Sequence, residues 1–173
     1  MIFAQVDTAP KRLDDHLPYA GEAAVADVRR LAQALLGTRV LHVSSTPYGG
    51  GVAELLHTIV PLMRNAGLDA QWFVMDGAPR EFFEVTKKIH NTLQGMEDDL
   101  TPEEWTLYGD VNRRLAAVFP EGPWDFVVIH DPQPLLAGVM ARGLAAAGGK
   151  ADGARWFWRC HIDLSTPLES TWE

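Results

Sequence analysis

The sequence predicts an α/β domain built on a doubly wound, mostly parallel, Rossmann-like sheet, and three observations carry that reading. Four short runs, "RVLHVSS", "AQWFVM", "WDFVVIHD" and "RWFWRCH", are apolar on both faces, as strands covered on both sides must be. Longer runs with apolar residues at helical spacing separate them. Loops rich in Gly, Pro, Asp and His follow the strand-like runs, at the carboxyl ends where open α/β sheets collect ligands.

The elements follow in chain order. "EAAVADVRRLAQALLG" puts Val25, Val28, Leu31, Leu35 and Leu36 on one helical face, with Gly37 as the stop. Arg39 to Ser45 is the first strand, and apolar residues at helical spacing from Val52 to Ala66 form a crossover helix that Gly67 ends. Ala70 to Met75 is a strand, and Glu81 to Leu93 a helix. Thr101 and Glu104 form a capping box around Pro102, which starts a helix running to about Val118. "WDFVVIHD" is the third strand, "PLLAGVMARGLAAAG" the next crossover helix, and "RWFWRCH" the fourth strand. Residues 1–38 are read as a lead-in with the first helix, and 39–173 as the Rossmann-like domain. Thr166, Pro167 and Glu169 make a second capping box, yet the chain stops at Glu173 after barely two turns, so a piece of a longer protein is expected.

Composition narrows the class. At 173 residues and 47% hydrophobic, the chain can bury a core without staples. A net charge of −8 argues against a general nucleic-acid binder, while leaving room for a local phosphate site. One cysteine, Cys160, excludes an internal disulfide. No apolar run reaches the length of a membrane span and the amino terminus lacks the pattern of a signal peptide, so a cytoplasmic location is expected.

Chemistry concentrates in three loops. "PYGGGVAE" lacks the lysine of a P-loop, and Glu54 stands where a dinucleotide fingerprint needs its last glycine. Gly49, Gly50 and Gly51 nonetheless let backbone N–H groups approach an anion at the positive end of the following helix; the alternative is a tight turn with no ligand. In "VIHDPQP", Asp131 either accepts hydrogen bonds from sugar hydroxyls, acts as a base, or caps the helix that starts after Gln133. "RCHIDLS" repeats the pattern with Arg159, His161 and Asp163. Two histidines and two aspartates at adjacent strand ends suit a divalent cation in type, but no pair has helical i, i+4 spacing and no third clear ligand is present, so no metal is assigned. Lys87, His90, Asn91 and Gln94 either recognise a polar substrate or form a solvated helix face. His42 and His57 are read as packing residues, and Trp72, Trp156 and Trp158 as core.

Taken in order and spacing, "SSTPYGGGVAELLHTIVPLMRNAGLDAQWFVMDG", "FFEVTKKIHNTLQG", "VIHDPQP" and "WRCHIDLSTP" resemble the amino-terminal domain of the trehalose glycosyltransferring synthases, retaining GT-B glycosyltransferases of family 4. The resemblance covers about residues 39 to 173. It implies the amino-terminal half of a two-domain fold that moves glucose from a nucleoside diphosphate glucose to glucose, giving trehalose with retention. It also implies roles: Gly49, Gly50 and Gly51 against the donor diphosphate, His161 at the transferred glucose, Asp131 on acceptor hydroxyls, and His130, Gln133, Arg159 and Asp163 in support. No cofactor is implied, and homo-oligomerisation is left open. The nucleotide-sugar domain of that family would follow residue 173, so the chain alone is expected to be inactive. Trehalose phosphorylase of the same architecture and a non-catalytic sugar- or phosphate-binding module are the alternatives.

Overall fold

The computed structural model describes residues 1–147 and 153–172; the end of the last crossover helix and its turn, read at 148–152, and Glu173 lie outside the described residues. Five strands form one sheet in the order β1-β3-β2-β4-β5. They are β1 (Ile2–Gln5), β2 (Arg39–Ser44), β3 (Asp69–Asp76), β4 (Phe126–His130) and β5 (Arg155–Arg159). The helices are α1 (Leu17–Ala32), α2 (Gly51–Asn65), α3 (Arg80–Leu93), α4 (Pro102–Ala116), α5 (Leu135–Ala147) and the four-residue α6 (Glu169–Trp172). The doubly wound, Rossmann-like reading therefore holds.

β2, β3, β4 and β5 are parallel, in registers that set Val43 beside Phe73 and Ile129, and His130 beside Arg159. β1, which the sequence reading does not contain, pairs antiparallel along the edge of β3, with Ile2 opposite Asp76. The order has a direct consequence. The chain winds from β2 outward to β3, then returns to lay β4 on the other side of β2, so the topological switch point lies between β2 and β4, where a crevice opens at the carboxyl ends.

Side-chain alternation splits the core between two faces. Val40, Trp72 and Val74 pack with Ala53, Leu56 and Val60 of α2. Phe82, Val85, Ile89 and Leu93 of α3 pack with Tyr108, Val111 and Leu115 of α4 and Ala137 of α5. Gly138 lets α5 approach the sheet, because a Cβ there would meet Ile129 Cγ1 at 2.9 Å. The Thr101–Glu104 capping box forms as read, with each residue's side chain accepting the other's backbone N–H.

Helix α1 departs from its predicted role. Gly21, at φ 79°, kinks it one residue before the expected start, which fits glycine's freedom at positive φ. Of the apolar face, Val25 is buried, whereas Val28, Leu31, Leu35 and Leu36 are exposed, the last two in and just after a 3-10 turn. Helical spacing marks a face that can be buried; among the described residues nothing buries this one.

Candidate functional site at the carboxyl ends of β2, β4 and β5

His42 of β2, His130 of β4 and His161 of the loop after β5 form one hydrogen-bonded row across the switch point. His42 Nδ1 lies 3.0 Å from His130 Nε2, and His130 Nδ1 lies 2.9 Å from His161 Nε2. The inner end closes on Met63 of α2, whose sulfur is 3.4 Å from His42 Nε2. His42 and His130 are 3% and 1% exposed, while His161 is open to solvent. Burial, joined by the positive charge of Arg159, holds the His42 imidazole down to about 4. Burial lowers His130 to about 3, with His42, His161 and Arg159 adding to it. His161 is also lowered, mainly by burial, with Asp131 pulling the other way. All three rings are therefore neutral near pH 7.

Asp131 is the other organiser. It is a non-glycine residue in the left-handed region, at φ 59°, a conformation that aspartate tolerates better than most residues. Its backbone N–H donates to Arg159 O at 3.0 Å, its carbonyl accepts Trp158 Nε1–H at 3.1 Å, and Oδ1 accepts the His161 backbone N–H at 2.7 Å. The loops after β4 and β5 are thereby fastened to each other. Asp131 does not cap α5: the first-turn amide of Ala137 is taken by Asn112 Oδ1 at 2.9 Å. Asn112 is wholly buried on α4, and Tyr108 of the same helix donates its hydroxyl proton to Pro132 O at 2.6 Å. Sequence reasoning missed both. Their signal was a polar Asn and a Tyr one turn apart on the buried face of α4.

The remaining predicted residues are placed as follows. Gln133 sits in the loop between Asp131 and α5, and its Oε1 is buried with no hydrogen-bond partner among the described residues. It lines an open cavity of about 290 Å³ with Phe83, Thr86, Lys87, His90 and Asn91, so the three polar residues picked out on α3 face a common space, while Gln94, just past the helix, is not among its lining. Arg159 ends β5 with its side chain exposed, close enough to depress all three histidines. Asp163 accepts from the N–H and hydroxyl of Ser165, which builds the turn after β5 and holds its carboxyl below the usual range. A larger cavity of about 600 Å³ lies around Phe119, Trp124 and Trp156, near the amino ends of β4 and β5 and away from these groups.

The glycine loop is exposed, and α2 begins at Gly51 with no side-chain cap at its amino end. Gly49 has φ 85° and requires glycine, whereas Gly50, at φ −176°, is ordinary extended backbone. No atom lies within 4 Å of a Cβ built on Gly49, Gly50 or Gly51, so within this chain the missing side chains make room for nothing. His57, read as a packing residue, braces the loop: its Nε2–H donates to Pro47 O at 3.0 Å, and its ring lies between Tyr48 and Trp72. His42, read the same way, is buried as expected and is also hydrogen-bonded into the histidine row.

Among the described residues no group of three His, Cys, Asp or Glu is placed to hold a metal ion, and no helix is long and apolar enough to cross a membrane.

Comparison with known proteins agrees with this architecture. A family model described as "Trehalose synthase, N-terminal domain" matches residues 42–173. The trehalose synthase of Rubrobacter xylanophilus is 45% identical over 165 residues, covering 94% of this chain and 38% of the relative. That of Pyrococcus horikoshii is 42% identical over 170 residues, 98% of this chain and 39% of the relative. A trehalose phosphorylase of Grifola frondosa is 34% identical over 134 residues, 70% of this chain and 18% of its own. The chain thus spans under two fifths of the synthases it matches. Because the family model covers most of the chain and the switch-point site falls inside the matched segment, the chain belongs to the family of trehalose synthase N-terminal domains.

Proposed function

We propose that this chain is the acceptor-side half of a cytoplasmic, retaining GT-B glucosyltransferase that moves glucose from a nucleoside diphosphate glucose to free glucose, forming trehalose. The observation that carries the reading is the fastening of two strand-end loops at the switch point, Asp131 to the His161 amide and His130 to its ring, which fixes an exposed, neutral imidazole in one position.

In this reading the acceptor glucose occupies the open cavity, where Gln133 Oε1 has no partner among the described residues and Lys87, His90 and Asn91 add polar contacts. The amides at the start of α2 and the Gly49–Gly51 backbone meet the donor diphosphate, using the partial positive charge of the helix end. The acceptor hydroxyl attacks the anomeric carbon as the bond from that carbon to the diphosphate oxygen breaks. The hydroxyl proton passes to the departing phosphate oxygen on the same face, so no protein base is needed. Positive charge develops on the transferred glucose, and a neutral His161 is compatible with it where an imidazolium would repel it. Arg159 and Asp163 support the geometry, one by adding to the burial that keeps the histidines neutral and one by building the turn.

A GT-B reaction needs both walls of its cleft to position the reactants and exclude water. The test is therefore a pair of assays: the complete protein carrying this chain should form trehalose from a nucleoside diphosphate glucose and glucose, and the chain alone should not. Trehalose formed by the chain alone, or none from the complete protein, rejects the reading. The 34% identity to a phosphorylase favours a second reading, phosphorolysis of trehalose to glucose 1-phosphate and glucose. Release of glucose 1-phosphate with no use of nucleotide sugar would select it.

A further inference from the structure

The row His161, His130, His42, Met63 has a direction, because its inner end is not symmetric. A neutral imidazole carries one N–H and one lone pair, and a thioether sulfur has lone pairs only. His42 Nε2, 3.4 Å from Met63 Sδ, must therefore be the protonated nitrogen, since the other tautomer would set a lone pair against the sulfur. His42 Nδ1 is then an acceptor and takes the proton of His130 Nε2; His130 Nδ1 is an acceptor in turn and takes the proton of His161 Nε2. Each ring repeats the tautomer of the one beneath it. The His42 and His130 rings are tilted against each other with centroids 5.3 Å apart, and His130 stacks on His161 at 5.2 Å, so neither buried ring can flip alone without breaking two contacts.

We propose that Met63, His42 and His130 are positioning residues that hold His161 as the Nε2–H tautomer, leaving the lone pair of Nδ1 as the hydrogen-bond acceptor that this solvent-open ring offers a sugar hydroxyl. The functional part rests on the glucosyl-transfer reading; the tautomer does not. The row is a lock and not a conduit. A proton driven inward from His161 would arrive at His42 Nε2 with only a thioether beyond it, and Met63 cannot take it. Burial keeps the inner rings neutral, so any charge stays on His161.

The chain has six histidines, so ring 15N long-range spectra of histidine-labelled protein at neutral pH can read each tautomer, with single histidine substitutions supplying the assignments. The expected result is Nε2–H at His42, His130 and His161, with an unprotonated Nδ1 on all three. Met63→Leu keeps the volume and removes the acceptor, and should shift both ring nitrogens of His161 to intermediate values as the two tautomers mix. An Nδ1–H at His161 in the unsubstituted protein overturns the proposal, and so does a His161 signature that Met63→Leu leaves unchanged. Both readouts are independent of activity: trehalose formation failing while the tautomers appear as expected rejects the function and leaves the lock.

Discussion

Asp131 Oδ1 accepts the backbone N–H of His161 at 2.7 Å, although the two residues are thirty positions apart and in loops that follow different strands. Asp131 accomplishes this in a left-handed conformation, and the same carboxylate is the one that the family resemblance implies for the acceptor hydroxyls. The two roles separate by substitution. Asp131→Asn keeps an acceptor oxygen and tolerance of positive φ, so stability should change little. Asp131→Ala loses the hydrogen bond and strains the backbone, and should cost about 2.5–4 kcal/mol when roughly 1.5–3 for a bond to a charged group is added to about 1 for the left-handed residue. Denaturant unfolding measures both. If, in the complete protein, Asp131→Asn keeps full stability and loses trehalose synthesis, the charge serves the substrate; if synthesis survives, Asp131 only fastens the loops.

Acid should unfold this domain through its buried histidines. His42 and His130 have folded values of about 4 and about 3, below the ordinary 6.5, so between those values and 6.5 the unfolded chain binds more protons than the folded one. Stability is then fully present above 6.5 and falls as the pH drops. With about two protons taken up on unfolding near pH 5, the slope is about 2.7 kcal/mol per pH unit. The depressed carboxyls of Glu104 and Asp125 push the same way only below their unfolded range, around pH 4. Urea midpoints that stay flat from pH 7 to pH 5 would contradict the buried, neutral row.

How much of this could be read from the chain follows from what local pattern encodes. The four parallel strands are legible because each is apolar on both faces, and the site loops because Gly, Pro and Asp break those runs. β1 is not: its four residues form an edge strand, exposed at both ends, with too short a pattern to separate from a loop. His42 illustrates a different limit. Its burial follows from its place inside a strand, but its role depends on Met63, His130 and His161, three residues far away in sequence that only the strand order brings together. The Asn112 cap of α5 is equally tertiary.

Gln133 offers a test of the cavity. Its buried oxygen has no hydrogen-bond partner among the described residues, which costs stability on the order of 1–3 kcal/mol. Gln133→Met should therefore leave the melting temperature unchanged or raise it, while weakening acceptor glucose binding by about tenfold, equivalent to about 1.4 kcal/mol. Calorimetry with glucose on the complete protein distinguishes this from a packing role, in which melting falls and glucose affinity stays.

The glycine loop separates backbone need from ligand need at adjacent residues. Gly49 sits at φ 85°, so Gly49→Ala should destabilise by about 1–2 kcal/mol whatever binds there. Gly50 sits at φ −176°, a conformation open to any residue, and a Cβ there meets no atom of the chain within 4 Å. Gly50→Val should therefore fold and melt as the unsubstituted protein does. Yet it stands at the amino-terminal cap of α2, where a branched side chain would occupy the approach to the amides of the first turn. In the complete protein, donor affinity should fall at least tenfold, about 1.4 kcal/mol, while glucose affinity holds. The comparison is internal, since Gly49→Ala measures what the turn needs and Gly50→Val what the ligand needs. Unchanged donor affinity in Gly50→Val would mean that no diphosphate approaches this helix end, and the three glycines would then serve the turn at Gly49 alone.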